Sequence, residues 1–591
     1  MRRLLPHLLA LSVAAAAGCK DTPSLGPAPV ASMAPVPQPA GLVAEVMIPK
    51  PAQTWTRLRT LIGGPAAMLP QSFGMGAAML LGLSPKVAEL IDGDVPAVGA
   101  VTSDGAVELA VLAIHVRDGQ KVIDDMTTGP QARHLARVDA VSKVTLIEPK
   151  PGETSLNASM GVTGNFLLIG YAPDALLKVG PYAARTVSTR AMPAEDAVVV
   201  SQRDALGGPV RARIRNWWRE AKKTLEEADQ RDREKHGGSA PTFADPKAAV
   251  AKADQTFTSL FALLGDLSEA RVALTMDDAG AHVAARVTPA SKDGPASIEI
   301  GALTVGDAKP LAELPEEVSL AVLSRDSQEL RKRGAEDQLI AIDNLFQGKL
   351  GEDDKKKVRE LLDTWTKGRG DWLGVGASFY GERRVFGRVS VADEKLFDQG
   401  VKGTLDLLKV PAFRDPLKHW LGEMKLLPPT ELEGKSGTLI KVERTPPSPS
   451  EKKVDPSKDG SDKLHRRGNR EKPQPQKFEV AWSIADATAS FVMSDSGRDS
   501  LRDLAKARDA GLGADPEIKR ALDAVKADAA FVLLVLPMRT VAGLMMARVP
   551  KEPPPPAPVV LSLGRRGSDG YLQLDASALA IRELAKIRAV Q

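Results

Sequence analysis

The strongest constraint on the fold is an order of segments that occurs twice. Gly93-Asp94-x-x-x-Val98-Gly99-Ala100 returns as Gly370-Asp371-x-x-x-Val375-Gly376-Ala377. Each box leads into an apolar stretch, a turn, and a second stretch ending Val-x-Asp: Val116-Arg117-Asp118 and Val391-Ala392-Asp393. The turns, Ser103-Asp104-Gly105 and Tyr380-Gly381-Glu382, are rich in reversal-forming residues, so both regions read as β-hairpins. Other segments match in the same order. A strand at Leu42 to Ile48 precedes the first box, and one at Val318 to Leu323 precedes the second. The strand pair Ser155 to Gly170 corresponds to Phe478 to Met493, Ala197 to Ser201 to Ala530 to Val535, and the hairpin Arg271 to Val287 to Val559 to Leu574. Helices interrupt the strands, at Gln53 to Ile62, from Asp118 and from Asp326. The expected fold class is α+β: two related lobes of mainly antiparallel sheet with helices packed on them, an internal duplication over residues 42–303 and 315–591.

Two insertions distinguish the lobes. In the first, about 210–265, a charged helix from Val210 to Lys235 is followed by a second helix with Asp245 as N-cap, Pro246 at its first position and Gly265 as its stop. The pair reads as a helical hairpin. In the second, about 445–477, prolines and nine Lys/Arg against five Asp/Glu predict disorder. That stretch reads as a solubilising tether; a salt-sensitive contact with anionic envelope polymers is the alternative.

The first twenty residues, with the lone cysteine, carry the expected address of the chain. Arg2-Arg3 is followed by the apolar run Leu4 to Ala17, shorter than the ~20 residues a bilayer span requires. Ala16-Ala17-Gly18 runs into Cys19, the only cysteine among 591 residues. These residues resemble the lipobox of bacterial lipoproteins, with Ala16 where Leu is usual. The resemblance implies removal of residues 1–18, acylation of Cys19, and attachment to the membrane through that lipid. Two or three acyl chains anchor stably where one does not. Lys20, rather than Asp, follows the cysteine, which by the same resemblance implies the outer membrane rather than the inner. Residues 19–41 form a tether in which Pro23, Pro27, Pro29, Pro35, Pro37 and Pro39 alternate with small residues. Extended as polyproline II at ~3.1 Å per residue, it reaches up to roughly 60 Å. The body is similar to a broad group of duplicated, uncharacterised envelope proteins, a resemblance that implies no activity.

The charge balance, 79 basic against 75 acidic residues, leaves a net +4, and +2 once Arg2 and Arg3 are gone. A near-neutral body is not a nucleic-acid binder. No catalytic motif emerges. The seven histidines are scattered, no His-Glu-x-x-His exists, and no second cysteine is present to complete a zinc site. Gly434-Lys435-Ser436 lacks the preceding glycine of a phosphate loop, and Gly374-x-Gly376 lies within a strand. No cofactor or metal is expected. The side chains that stand out as an interface are Trp217 and Trp218 beside Arg215 and Arg219, a pattern suited to a membrane surface or acidic partner. The apolar, methionine-rich stretch Met68 to Leu83 reads as a lining or lid for an apolar ligand. The leading expectation is a lipid-anchored, non-enzymatic envelope protein binding an apolar ligand or envelope component. The alternatives are a scaffold within an envelope complex, and a hydrolase whose scattered His115, His134 or His282 meets carboxylates in the fold.

Overall fold

The computed structural model describes residues 34–590, apart from 105–106, 129–132, 154–157, 237–245, 347, 349, 381, 422, 433–436, 446–475 and 546–553. Cys19, the leader, Asp245, the Gly434-Lys435-Ser436 turn and nearly all of the 445–477 insertion lie outside the described residues. The fold is mixed α+β, with extensive antiparallel sheet and packed helices. It divides into two compact units. The first holds residues up to 225, 254–302 and 557 onward; the second holds 226–253 and 303–556.

The first ten strands belong to the first unit: β1 (Leu42–Ile48), β2 (Ala97–Ser103), β3 (Glu108–His115), β4 (His134–Asp139), β5 (Val144–Pro149), β6 (Ser159–Thr163), β7 (Phe166–Gly170), β8 (Ala197–Gln202), β9 (Leu267–Met276) and β10 (Gly280–Pro289). The second unit contributes β11 (Leu320–Arg325), β12 (Arg369–Ser378), β13 (Arg384–Val391), β14 (Glu423–Leu426), β15 (Thr430–Glu431), β16 (Gly437–Thr445), β17 (Gln476–Ala485), β18 (Thr488–Ser494) and β19 (Ala529–Val535). The chain then supplies β20 (Val559–Arg566) and β21 (Asp569–Ser577) to the first unit.

Within each unit the described strand pairs are antiparallel. In the first unit the spatial order is β4-β5-β6-β7-β3-β2-β1-β8-β9-β10-β21-β20. In the second it is β14-β16-β17-β18-β13-β12-β11-β19, with β15 also on β16. The first unit's core lies between its sheet and helices: Val98, Ala100, Val111, Leu146 and Leu168 meet Leu176, Val179 and Tyr182. Ile48, Trp55, Phe73, Val87 and Ile114 form a second cluster in the same unit. In the second unit Val389, Phe397 and Ala489 enclose one cluster, and Ile440, Val442 and Trp482 another.

The two Gly-Asp boxes do related jobs in their own units. Ala52 N–H, at the start of the helix Pro51–Ile62, donates to Gly93 O at 3.0 Å. Arg331, buried in the helix Gln328–Leu345, donates through Nη1 to Gly370 O at 3.0 Å. Each box glycine is also a point of close approach. A Cβ on Gly93 would fall 2.9 Å from Ala52 Cβ, and one on Gly370 would fall 2.6 Å from Ser390 Oγ. Asp118 and Asp393, which end the two hairpins, are both helix N-caps, accepting from Lys121 N–H and Leu396 N–H.

One expectation is adjusted. The proline tether is shorter than its sequence implies: Val36 exchanges hydrogen bonds with the Thr186 hydroxyl (3.0 and 2.7 Å), so its last residues already lie on the first unit. The apolar stretch Ala529 to Met546 splits, as its Pro537 requires, into β19 and a helix Pro537–Met545 whose Arg539 is buried and donates to Glu316 O at 2.6 Å.

A buried acid locks β1 to the helix Gly180–Arg185. The Tyr182 hydroxyl donates to Glu45 Oε1 at 2.5 Å, and Arg190 ion-pairs with the same oxygen at 2.7 Å. Burial first, and then the Glu45 carboxylate, push the Tyr182 hydroxyl up to about 12. Tyr182→Phe strips a donor from a buried carboxylate, and should lower stability by about 1–3 kcal/mol in urea unfolding. A change under ~0.5 kcal/mol, the range of ordinary surface substitutions, would show that Arg190 satisfies Glu45 alone.

Candidate functional site

The helix Phe73–Leu81 has no charged residue and is apolar on both faces. Its limits are well defined: the Ser72 hydroxyl accepts from Met75 N–H, and Gly82 closes it in the left-handed conformation at φ 68°. Phe73, Gly74, Gly76, Ala77 and Ala78 face inward, with Phe73 and Ala77 in the cluster around Trp55. On the other side Met75 and Met79, one turn apart, are 42% and 56% exposed; Leu80, in the last turn, is 45% exposed, and Met68 on the preceding turn is 92% exposed. The turn before the helix is pinned, because Trp55 Nε1–H donates to Pro70 O at 3.1 Å. The apolar face is thus held in a formed, capped helix. Unbranched, polarizable methionines adapt to irregular apolar surfaces, so the arrangement suits acyl chains or an apolar partner.

The helical hairpin consists of Arg211–His236 and Pro246–Gly265. Trp218 Nε1–H donates to Asp254 Oδ1 at 2.7 Å, and its ring stacks on Phe257 with centroids 4.5 Å apart. Lys222 ion-pairs with the same carboxylate at 2.6 Å. The Arg215 guanidinium lies 5.4 Å over the Phe261 ring. Of the four side chains singled out as an interface, Trp218 and Arg215 therefore hold the hairpin together. Trp217 stays 40% exposed and Arg219 is exposed.

The histidines divide by environment. His115 is buried, edge-on to Phe166 at 5.5 Å, with Asp92 Oδ2 3.6 Å from Nδ1. His134 lies on β4 at the sheet edge, where burial lowers its pKa. His282 does meet carboxylates. Its Nδ1 is 2.7 Å from Asp575 Oδ1 and its Nε2 is 3.4 Å from Asp277 Oδ1. Asp575 stands directly across the β10–β21 ladder and also accepts from Gln573. With both ring nitrogens facing carboxylates, this imidazole bridges β10 and β21 as a clasp. The two partners lie 293 positions apart, so no local spacing announces the clasp. Among the described residues no group of three or more His, Cys, Asp or Glu could hold a metal ion. Among the same residues no helix is long and apolar enough to cross a membrane.

No family model matches the chain, and no curated protein matches it. Two crystal forms of TP0453 are similar to part of it. Form III matches at 10% identity over 48% of this chain and 98% of that one, with a TM-score of 0.20. Form I matches at 11% over 48% and 97%, with a TM-score of 0.19. At such scores the likeness carries no structural or functional argument.

The clasp has a pH signature. The Asp575 hydrogen bond holds His282 above the ordinary imidazole pKa, against the opposing effect of burial. A group raised on folding contributes stability that is complete below its unfolded pKa, about 6.5, and is lost as pH rises through the higher folded value. Unfolding of the wild type should therefore show stability falling as pH rises above about 6.5, and His282→Asn should flatten that part of the profile. Identical profiles for the two proteins would show that the clasp is not charged.

Proposed function

We propose that this chain is a lipid-anchored, non-enzymatic protein of the cell envelope. Acylated Cys19 holds it at the outer membrane, and the Phe73–Leu81 face binds an apolar component of that envelope. The observation that carries the reading is the exposure of Met75, Met79 and Leu80, kept in water by a helix capped at both ends. Exposed apolar area costs roughly 25 cal/mol per Å², so large apolar side chains held in water on one short helix point to an occupant. The Cys19 anchor supplies the setting: it places the body beside acyl chains.

The body is read in the same proposal as an internal duplication, residues 42–303 and 315–591. The order of pairing supports this. β5-β6-β7-β3-β2-β1-β8 in the first unit corresponds, strand for strand in chain position, to β16-β17-β18-β13-β12-β11-β19 in the second. The matched N-caps Asp118 and Asp393 support it too. On this reading β20–β21 is the second copy's equivalent of β9–β10, and the two terminal hairpins pair through β10 and β21.

The second reading, a scaffold in an envelope complex, rests on Trp217, exposed beside Arg219 on the helical hairpin. Mass spectrometry of organic extracts separates the two. The wild type purified from its membrane should carry lipid, and a Met75→Gln, Met79→Gln, Leu80→Gln variant should lose most of it while Cys19 acylation stays intact. Wild-type protein free of lipid beyond its anchor, with defined protein partners on native gels, would instead favour the scaffold. A full-length chain in which Cys19→Ala leaves palmitate incorporation unchanged would remove the anchor.

A further inference from the structure

The second unit contains a basic pocket that the reading above does not use. It has a volume of about 380 Å³ and is lined by Asp307, Lys309, Pro310, Glu313, Arg325, Trp372, Arg388, Thr488 and Arg508. Four cations stand against two carboxylates, a net lining charge of +2. The pocket is built on the sheet. Arg325 on β11 sits across from Trp372 on β12, and Arg388 on β13 sits across from Gly374, whose other neighbour is Leu323. Arg325 and Leu323 are two apart on one strand, so Arg325, Trp372 and Arg388 project from one face of the sheet. Lys309 enters from the short helix Lys309–Ala312, and Arg508 from the helix Gly497–Ala510.

The two strand arginines are more deeply buried than surface ion pairing requires. The Arg388 side chain is 4% exposed and pairs with Glu313, yet its Nε has no hydrogen-bond partner. The Arg325 side chain is 11% exposed; its Nη2 donates to Asp307 O at 2.5 Å, and its Nε likewise has no partner. Neither guanidinium is therefore fully satisfied by the protein acceptors around it. Burial, and then the neighbouring Arg508, depress Arg388 to about 10, so the site already pays for holding its cations together. Arg508 is partly neutralised by Asp486, 3.3 Å away, which lies outside the lining. The backbone is shaped to seat Arg325: a Cβ on Gly306 would lie 2.5 Å from its Cζ.

We infer that this pocket binds a phosphate group, with Arg325, Arg388 and Lys309 as its donors and Trp372 covering the organic part of the ligand. A guanidinium presents a planar fork of donors matched to phosphate oxygens, and a dianion balances the net charge. The volume admits a small phosphate monoester or a lipid headgroup. The inference is independent of the apolar face, which belongs to the other unit.

Calorimetry on the full-length protein tests it, with inorganic phosphate and glycerol 3-phosphate as soluble probes, and vesicles of phosphatidic acid against phosphatidylcholine as the lipid probe. Saturable binding of the soluble probes, weakened at least tenfold by Arg388→Gln and by Lys309→Ala, is the expected result. Binding confined to phosphatidic acid vesicles and lost in the same variants supports the site and identifies a headgroup as its ligand. Gly306→Ala leaves every charge in place while displacing the Arg325 guanidinium, and should weaken binding as well. If Arg388→Gln fails to fold, Lys309→Ala and Gly306→Ala decide the matter. No saturable binding of any probe to the wild type, or equal binding by Lys309→Ala and Gly306→Ala, would overturn the inference.

Discussion

The structure depends on the pairing of β10 with β21. Eight residue pairs, from Gly280 opposite Ser577 to Val287 opposite Gly570, join the middle of the chain to its end. At one of them the His282 ring is held between Asp575 and Asp277. The first unit therefore cannot complete its sheet until residues 557 onward have been made, after the whole of the second unit. Closing so long a loop costs entropy that grows only slowly with length, but such distant pairings form late. Until then β10 is an open edge, the kind of strand that templates unwanted association. A charged residue on each partner at the pairing site also makes the edge less receptive to a neutral, apolar strand.

Each unit carries a different chemistry. The first offers an uncharged helix with methionines facing water, and the second a pocket where arginines are held with donors to spare. Both features are costly to a protein that only needs to fold. Exposed apolar area forfeits burial, and buried unpaired donors forfeit hydration.

Much of the fold was legible because hairpin strands announce themselves locally. Alternation and turn residues placed β13 at Arg384–Val391, and found the pairs β6–β7, β17–β18 and β20–β21 to within a few residues. The helix start near Asp118 was readable because the residues after it are helical in pattern, while its role as the N-cap came from the structure. The hairpin β4–β5 was not seen, since its residues His134 to Asp139 are half polar and lie at a sheet edge where burial imposes no strict alternation. The strands β14 to β16 escaped for the same reason. The site was less legible. The Met68 to Leu83 stretch stood out by composition, but only the helix caps reveal which of its residues face water. Arg325, Arg388 and Arg508 lie on separate elements and converge only through the sheet register, and the Trp218–Phe257 stack turned a suspected surface residue into a packing one.

The central claim is that the Phe73–Leu81 face meets acyl chains while Cys19 holds the protein at the membrane. Cys19 is the only cysteine in the chain, so with that thiol acylated as proposed, Met79→Cys introduces a unique labelling site. A bimane label there, in vesicles whose acyl chains are brominated, should be strongly quenched, whereas the same label at Asp278→Cys on the exposed β9–β10 turn should not. Equal quenching at the two positions, or none at position 79, would contradict the account.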